Sequence, residues 1–253
     1  MISKNESLNK VARITLYFWI MKVFATTLGE VFGDFFSMTL ELGYVVSLGI
    51  TVAFFLVALL IQLKVKKFHS LLYWIVIVGT TTVGTEISDL MDRTLGLGYA
   101  LGSLILFSGL MLVLFLWNKT EKEIKVFPIT EFRVEIFYWI AILFSNSLGT
   151  AFGDYLSDDM ELSYLTGAMV TGGIIILVVL VHYFTKINRS LLFWIAFIFT
   201  RPFGATFGDL LTKPLDMGGL NFGRGVSAII TAALLASIIF YSGRQEKHLK
   251  NNL

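Results

Sequence analysis

Cysteine is absent from the 253 residues, so no disulfide can form and no thiolate can hold a metal. Histidine occurs only three times, and zinc and copper favour the Cys and His side chains that are scarce or missing here. Charge is also sparse, at 15% of residues, against roughly 25% in soluble domains. No ATP-binding motif is present, and neither a nucleic-acid partner nor an organic cofactor is expected. What fills the chain is apolar: 56% of residues are hydrophobic and the mean hydropathy is +0.77. Such a composition belongs in a lipid bilayer. The formal charge of +2 says little there, because the side on which each sign lies is what matters. The first apolar run, from Ile14, carries Lys22, Glu30 and Asp34, with no small-residue cleavage site after a clean apolar core. It reads as a spanning helix and not as a signal peptide.

One frame of Trp, Gly and Asp occurs four times: Trp19, Gly29, Asp34; Trp74, Gly84, Asp89; Trp139, Gly149, Asp154; Trp194, Gly204, Asp209. Successive tryptophans are 55, 65 and 55 residues apart, so copies one and two recur as a pair. The text around the frame agrees, since Ser70-Leu71-Leu72-Tyr73-Trp74-Ile75 is nearly restated from Ser190 to Ile195. A tyrosine follows each of the first three tryptophans by 25 residues, at Tyr44, Tyr99 and Tyr164. A fixed period of this kind is an internal repeat.

Spans of about 20 apolar residues are expected near 13–37, 43–63, 70–91, 98–118, 133–156, 163–185, 189–211 and 222–242. The expected fold is therefore all-α and polytopic: eight transmembrane helices from four two-helix repeats in one orientation, with Trp, Gly and Asp on the first helix of each. Residues 1–118 form a first half, 119–132 a linker containing Pro128, and 133–253 a second half. Fifteen of the twenty basic residues fall before helix 1, after helix 8, or in the connections 2–3, 4–5 and 6–7. They are Lys4, Lys10, Arg13, Lys64, Lys66, Lys67, Lys119, Lys122, Lys125, Arg133, Lys186, Arg189, Arg244, Lys247 and Lys250. By the positive-inside rule these segments and both termini are cytoplasmic. The glycine-rich stretch 218–225 follows no strand and reads as a loop before helix 8, not as a phosphate cradle.

Positions seven, eleven and fifteen after Trp share one helical stripe at about 100° per residue. The stripes read Thr26, Glu30, Asp34; Thr81, Thr85, Asp89; Asn146, Thr150, Asp154; and Arg201, Ala205, Asp209. Ionised groups cost several kcal/mol or more in hydrocarbon, so the stripes are expected to converge on a shared interior. Candidate binding residues are Glu30, Asp34, Glu86, Asp89, Asn146, Asp154, Arg201 and Asp209, with Glu86 one residue off the stripe. Against six acids the same helices offer only Lys22 and Arg201, and Lys22 sits where it can snorkel to the cytoplasmic side. Four carboxylates then lack a charge partner, and either hold protons or attract a cation. The expected metal ligands are Glu30, Asp34, Asp89, Asp154 and Asp209. The glycines at positions ten and fourteen read as small-xxx-small packing, and the tryptophans as interfacial anchors. Glu30, Glu86 and Arg201-Pro202 each occur in one copy only, which favours one asymmetric site over a ring of equal acids.

The frame of Tyr17-Phe18-Trp19, Gly29 and Gly33-Asp34, with Ala205-Thr206-Phe207-Gly208-Asp209 in copy four, resembles a family of bacterial integral membrane proteins. That family is defined by four tandem two-helix repeats, each with a tryptophan, of unknown function. The resemblance covers essentially the whole chain and implies eight spans in a bacterial plasma membrane. Glu30 followed by Gly33-Asp34 is also similar, at a different spacing, to the signatures of helical manganese and other cation exporters. The leading expectation is a secondary transporter of a hard divalent cation such as Mn²⁺, exchanged for protons, since carboxylate, hydroxyl and amide oxygens suit that class. Alternatives are a proton-coupled carrier of a small organic solute held by Arg201, and a structural or sensory membrane protein. A Gly-Asp aspartyl protease is disfavoured by four equivalent copies, so no enzymatic activity is expected. The oligomeric state is open.

Overall fold

The computed structural model describes residues 9–251, with side chains as far as residue 244. Lys4 and the side chains of Lys247 and Lys250, which enter the charge count above, lie outside the described residues. Eight helices follow one another: α1 Leu16–Asp34, α2 Gly43–Lys64, α3 Ser70–Asp89, α4 Tyr99–Glu121, α5 Phe132–Asp154, α6 Tyr164–Phe184, α7 Arg189–Thr212 and α8 Arg224–Asn251. Seven of them are long and apolar enough to cross a membrane. The exception is α1, whose 19 residues include Lys22, Glu30 and Asp34.

The repeats close into a ring. The inner helices α1, α3, α5 and α7 pack in that order, and α7 returns to α1. Each outer helix packs on the inner helix of the next copy: α2 on α3, α4 on α5, α6 on α7 and α8 on α1. The two sequence halves are thus joined on both sides, by α3 with α5 and by α7 with α1. The inner helices are mostly buried and the outer ones mostly exposed, as expected for apolar helices that face hydrocarbon.

Glycine sets the inner spacing, and the same contact recurs at all four interfaces. A methyl group at Gly29 would meet Thr81 Oγ1 at 1.9 Å, at Gly84 the Ser147 nitrogen at 2.9 Å, at Gly149 Arg201 Cβ at 2.4 Å, and at Gly204 Thr26 Oγ1 at 2.1 Å. The glycine ten residues after each Trp therefore receives the residues seven and eight after the next Trp, and close packing of this kind holds helices together in lipid.

In copies one to three the aspartate is followed by a π-helical turn, Phe35–Thr39, Leu90–Thr94 and Tyr155–Asp159. A left-handed residue comes next, at Glu41, Gly96 and Glu161. Copy four departs from this because Pro214 forces Lys213 into an extended conformation. Its longer connection, including the glycine-rich stretch, is ordered: Leu220 and Phe222 donate to the carbonyls of Leu210 and Leu211.

Three of the four tryptophans of the frame are not interfacial anchors. Trp74, Trp139 and Trp194 are almost wholly buried and Trp19 is half-buried. The residue before each Trp points inward, and three of these rings pack on the Trp of the next copy. Phe18 meets Trp74 at 5.6 Å, Tyr73 meets Trp139 at 5.5 Å, and Phe193 closes the ring on Trp19 at 5.7 Å. Aromatic burial between neighbours outweighs the interfacial preference of a Trp with free space around it.

Candidate functional site

The interior is layered from the end at which the inner helices begin. First comes an aromatic layer of Phe18, Tyr73, Tyr138 and Phe193. The hydroxyls of Tyr73 and Tyr138 share a hydrogen bond of 2.6 Å, and Phe18 lies 6.1 Å from Phe193. The segment from Asn9 to Ala12 is buried over this end. Lys10 there pairs with Glu135 of α5 and donates to the Leu63 carbonyl, while Gln62 donates to the Lys10 carbonyl and to Glu135. Lys10, counted among the bases of the segments expected to be cytoplasmic, is thus buried in an ion pair with Glu135.

One turn further in, Lys22 is completely buried and does not snorkel. Its ammonium donates to Asn146 Oδ1 at 2.7 Å and lies 3.9 Å above the Phe197 ring. Asn146 in turn donates to Thr80 at 2.9 Å. The amide and the ring face satisfy the cation where the helix is too deep for the stem to reach water.

The next layer holds Arg201, with no exposed surface. Its Nη2 donates to Glu30 of copy one at 2.6 Å and to Thr85 of copy two. Nε and Nη1 make no hydrogen bond to any described residue. Arg201 is thus held by other copies, through one carboxylate and one hydroxyl.

The far end carries the four aspartates. The deficit of bases expected from the inner helices is filled from the connections. Arg224, the first residue of α8, reaches Asp34 at 3.2 Å; Arg93 bridges Asp89 at 3.2 Å and Asp154 at 3.3 Å; Lys213 reaches Asp209 at 3.3 Å. Burial alone would lower the Lys213 ammonium, but Asp209 and Asp34 outweigh it and hold Lys213 above the ordinary lysine value. Five acids around the axis thus meet Arg201, Arg93, Lys213 and Arg224, one base short, because Asp89 and Asp154 share Arg93. Buried ion pairs of this kind are costly to break by removing one partner.

Glu30, Asp154 and Asp209 come together, each offering an oxygen within 4.8 Å of the others, all three buried. Asp34 and Asp89 stand outside that group, Asp34 paired with Arg224 and Asp89 with the Arg93 it shares with Asp154. Glu86 does not face the interior: buried on α3, it turns to α2, where Ser47 and Thr51 donate to its two oxygens. Asn146 and Arg201 do line the interior, but their partners are Lys22, Thr80, Glu30 and Thr85. The available signal for the outer bases was the even-helix N-terminus. Arg224 opens α8 as Tyr99 opens α4 and Tyr164 opens α6, so it occupies the place of the repeated tyrosine.

Two crevices open between outer and inner helices, a volume of about 320 Å³ beside Trp74 and Leu235 and one of about 650 Å³ beside Phe107 and Pro202. Their linings are almost entirely apolar, so neither supplies polar chemistry. No curated protein and no solved structure matches the chain. A family model matches four consecutive segments, residues 17–68, 72–123, 137–188 and 192–248. These are the four copies described above, and together they cover most of the sequence. The chain therefore belongs to the family described as Repeat of Unknown Function, DUF347.

Proposed function

We propose that the protein is a multi-pass secondary transporter of the bacterial plasma membrane, crossing it eight times with both termini in the cytoplasm. The observation that carries this reading is the convergence of Glu30, Asp154 and Asp209, three buried carboxylates from three copies, within 4.8 Å. Charged groups inside a membrane bundle are expensive and are used chiefly for ion pathways and proton relays. The carried species on this reading is a hard divalent cation such as Mn²⁺, for which carboxylate and hydroxyl oxygens are suitable ligands. Arg201, Arg93 and Lys213 hold the three acids in this structure; on this reading an entering cation replaces them, and protons take its place on the return.

A second reading rests on the two Arg201 nitrogens that lack partners. With Lys22 buried nearby, they suit the carboxylate or phosphate of a small organic solute. Thermal stability of the purified protein separates the two. A ligand that binds only the folded state raises stability by RT ln(1 + [L]/Kd). Mn²⁺ is expected to raise the melting temperature of wild type and not of Asp209→Asn. A rise with small carboxylates or phosphate and none with Mn²⁺ would favour the organic-solute reading.

The orientation is tested separately. With no native cysteine, Met160→Cys and Lys186→Cys give single labels at exposed positions. An impermeant thiol reagent applied to whole cells should reach position 160 and not position 186. The opposite pattern would place the termini outside.

A further inference from the structure

We propose that Glu86 is a proton-binding site separate from the axial acids, a carboxylic acid that carries its proton at neutral pH between α2 and α3. Glu86 is fully buried, and no described Lys, Arg or His lies within ion-pair distance of it, whereas every axial acid has a base. The helix facing it, α2, offers hydroxyls only, Ser47 and Thr51. From α1, Gly33 approaches it, where a methyl would lie 3.7 Å from Glu86 Cγ, and presents no side chain. On its own helix the nearest acids are Asp89, engaged by Arg93, and Asp92, which accepts from Ser88. An unpaired carboxylate in such a place costs several kcal/mol, which a bound proton removes.

The hydrogen-bond count agrees with a neutral acid. Thr51 has one proton and two acceptors in reach, the Leu48 carbonyl at 3.2 Å and Glu86 Oε2. If Glu86 is ionised, Thr51 must leave one of them. If Glu86 is protonated, its O–H donates to Thr51 Oγ1, Thr51 donates to the Leu48 carbonyl, and Ser47 donates to Oε1. All three protons, of Glu86, Thr51 and Ser47, then have an acceptor, as buried polar groups require.

A hydroxyl pair of the same spacing stands in copy four, without the acid. Ser227 and Thr231 stand at the start of α8 as Ser47 and Thr51 do on α2. Twelve residues after Trp, where copy two has Glu86, copy one has Val31. There Thr231 returns its proton to the Ser227 carbonyl, and Ser227 Oγ has no partner among the described residues. The pair therefore folds without an acid, at the cost of one hydroxyl left unpartnered among the described residues.

The test uses the whole protein in lipid nanodiscs. Infrared difference spectra at neutral pH should show a protonated-carboxyl C=O band, sensitive to deuterium exchange, that is lost in Glu86→Gln. Dicyclohexylcarbodiimide adds whole to a protonated carboxyl, whose proton moves to the reagent nitrogen and whose oxygen bonds its central carbon, before rearrangement to a stable N-acylurea. Peptide mass mapping of wild type should place that adduct on Glu86, a readout that needs no variant. Ser47→Ala with Thr51→Val should keep the band and move it to higher frequency. A spectrum unchanged by Glu86→Gln, or carbodiimide that modifies only axial acids, would overturn the proposal. Neither result bears on whether Mn²⁺ is carried.

Discussion

Arg201→Ala is expected to destabilise the protein by about 3 to 5 kcal/mol, the usual cost of removing one partner of a buried ion pair. The loss has two parts. Glu30 is left in the interior without its guanidinium, and Thr85 loses its contact with Nη2. Arg224→Ala should cost clearly less, because the Arg224 side chain is 28% exposed and that of Arg201 0%, so that water can reach Asp34 when its partner is removed. A double-mutant cycle with Glu30→Gln isolates the pair: the double variant should be more stable than the sum of the single losses implies, because no charge is stranded. Denaturation in mixed micelles measures all four proteins. Additive losses would mean that Arg201 and Glu30 are not coupled.

Gly84→Ala and Gly149→Ala should each cost about 1 to 3 kcal/mol, the range for forcing extra volume into a packed core. At Gly84 the new methyl meets the backbone nitrogen of Ser147 at 2.9 Å, and at Gly149 it meets Arg201 Cβ and Cγ at 2.4 and 2.5 Å. Neither obstacle is the free end of a side chain, so inner helices must separate. Gly173→Ala on the outer face of α6 is the control. Nothing lies within 4 Å of its methyl, and alanine's better helix propensity should leave stability unchanged or raise it by up to about 1 kcal/mol. Equal losses at all three positions would show that the inner interfaces are not limited by glycine.

The period of the sequence carried most of the architecture. Because the spans are bounded by charged or glycine-containing connections, apolar length located the helices to within a few residues, except that α8 continues nine residues past the expected end at 242. The stripe at seven, eleven and fifteen after Trp located the interior, since a bundle in lipid must turn its charged faces inward. The ring closure was not legible, because nothing local says that an outer helix leaves its own copy to pack on the next. That exchange is why Arg224 meets Asp34, and why acids counted as unpaired have bases. It also explains Glu86, since a stripe ranks residues by angle on one helix and cannot see which neighbour lies beyond the edge. The burial of the tryptophans was missed for a related reason: Trp74 and Trp139 are covered by the ring before the Trp of another copy, and Trp194 by Trp117 of α4.

The central claim, that the axial acids exchange a cation for protons, is tested most directly by proton movement in proteoliposomes. With a pH dye inside and an outward Mn²⁺ gradient imposed, wild type should acidify the lumen as Mn²⁺ leaves, and Glu30→Gln, inserted to the same extent, should not. A Mn²⁺ gradient that moves neither metal nor protons through wild type, or that moves both equally through Glu30→Gln, would contradict the account.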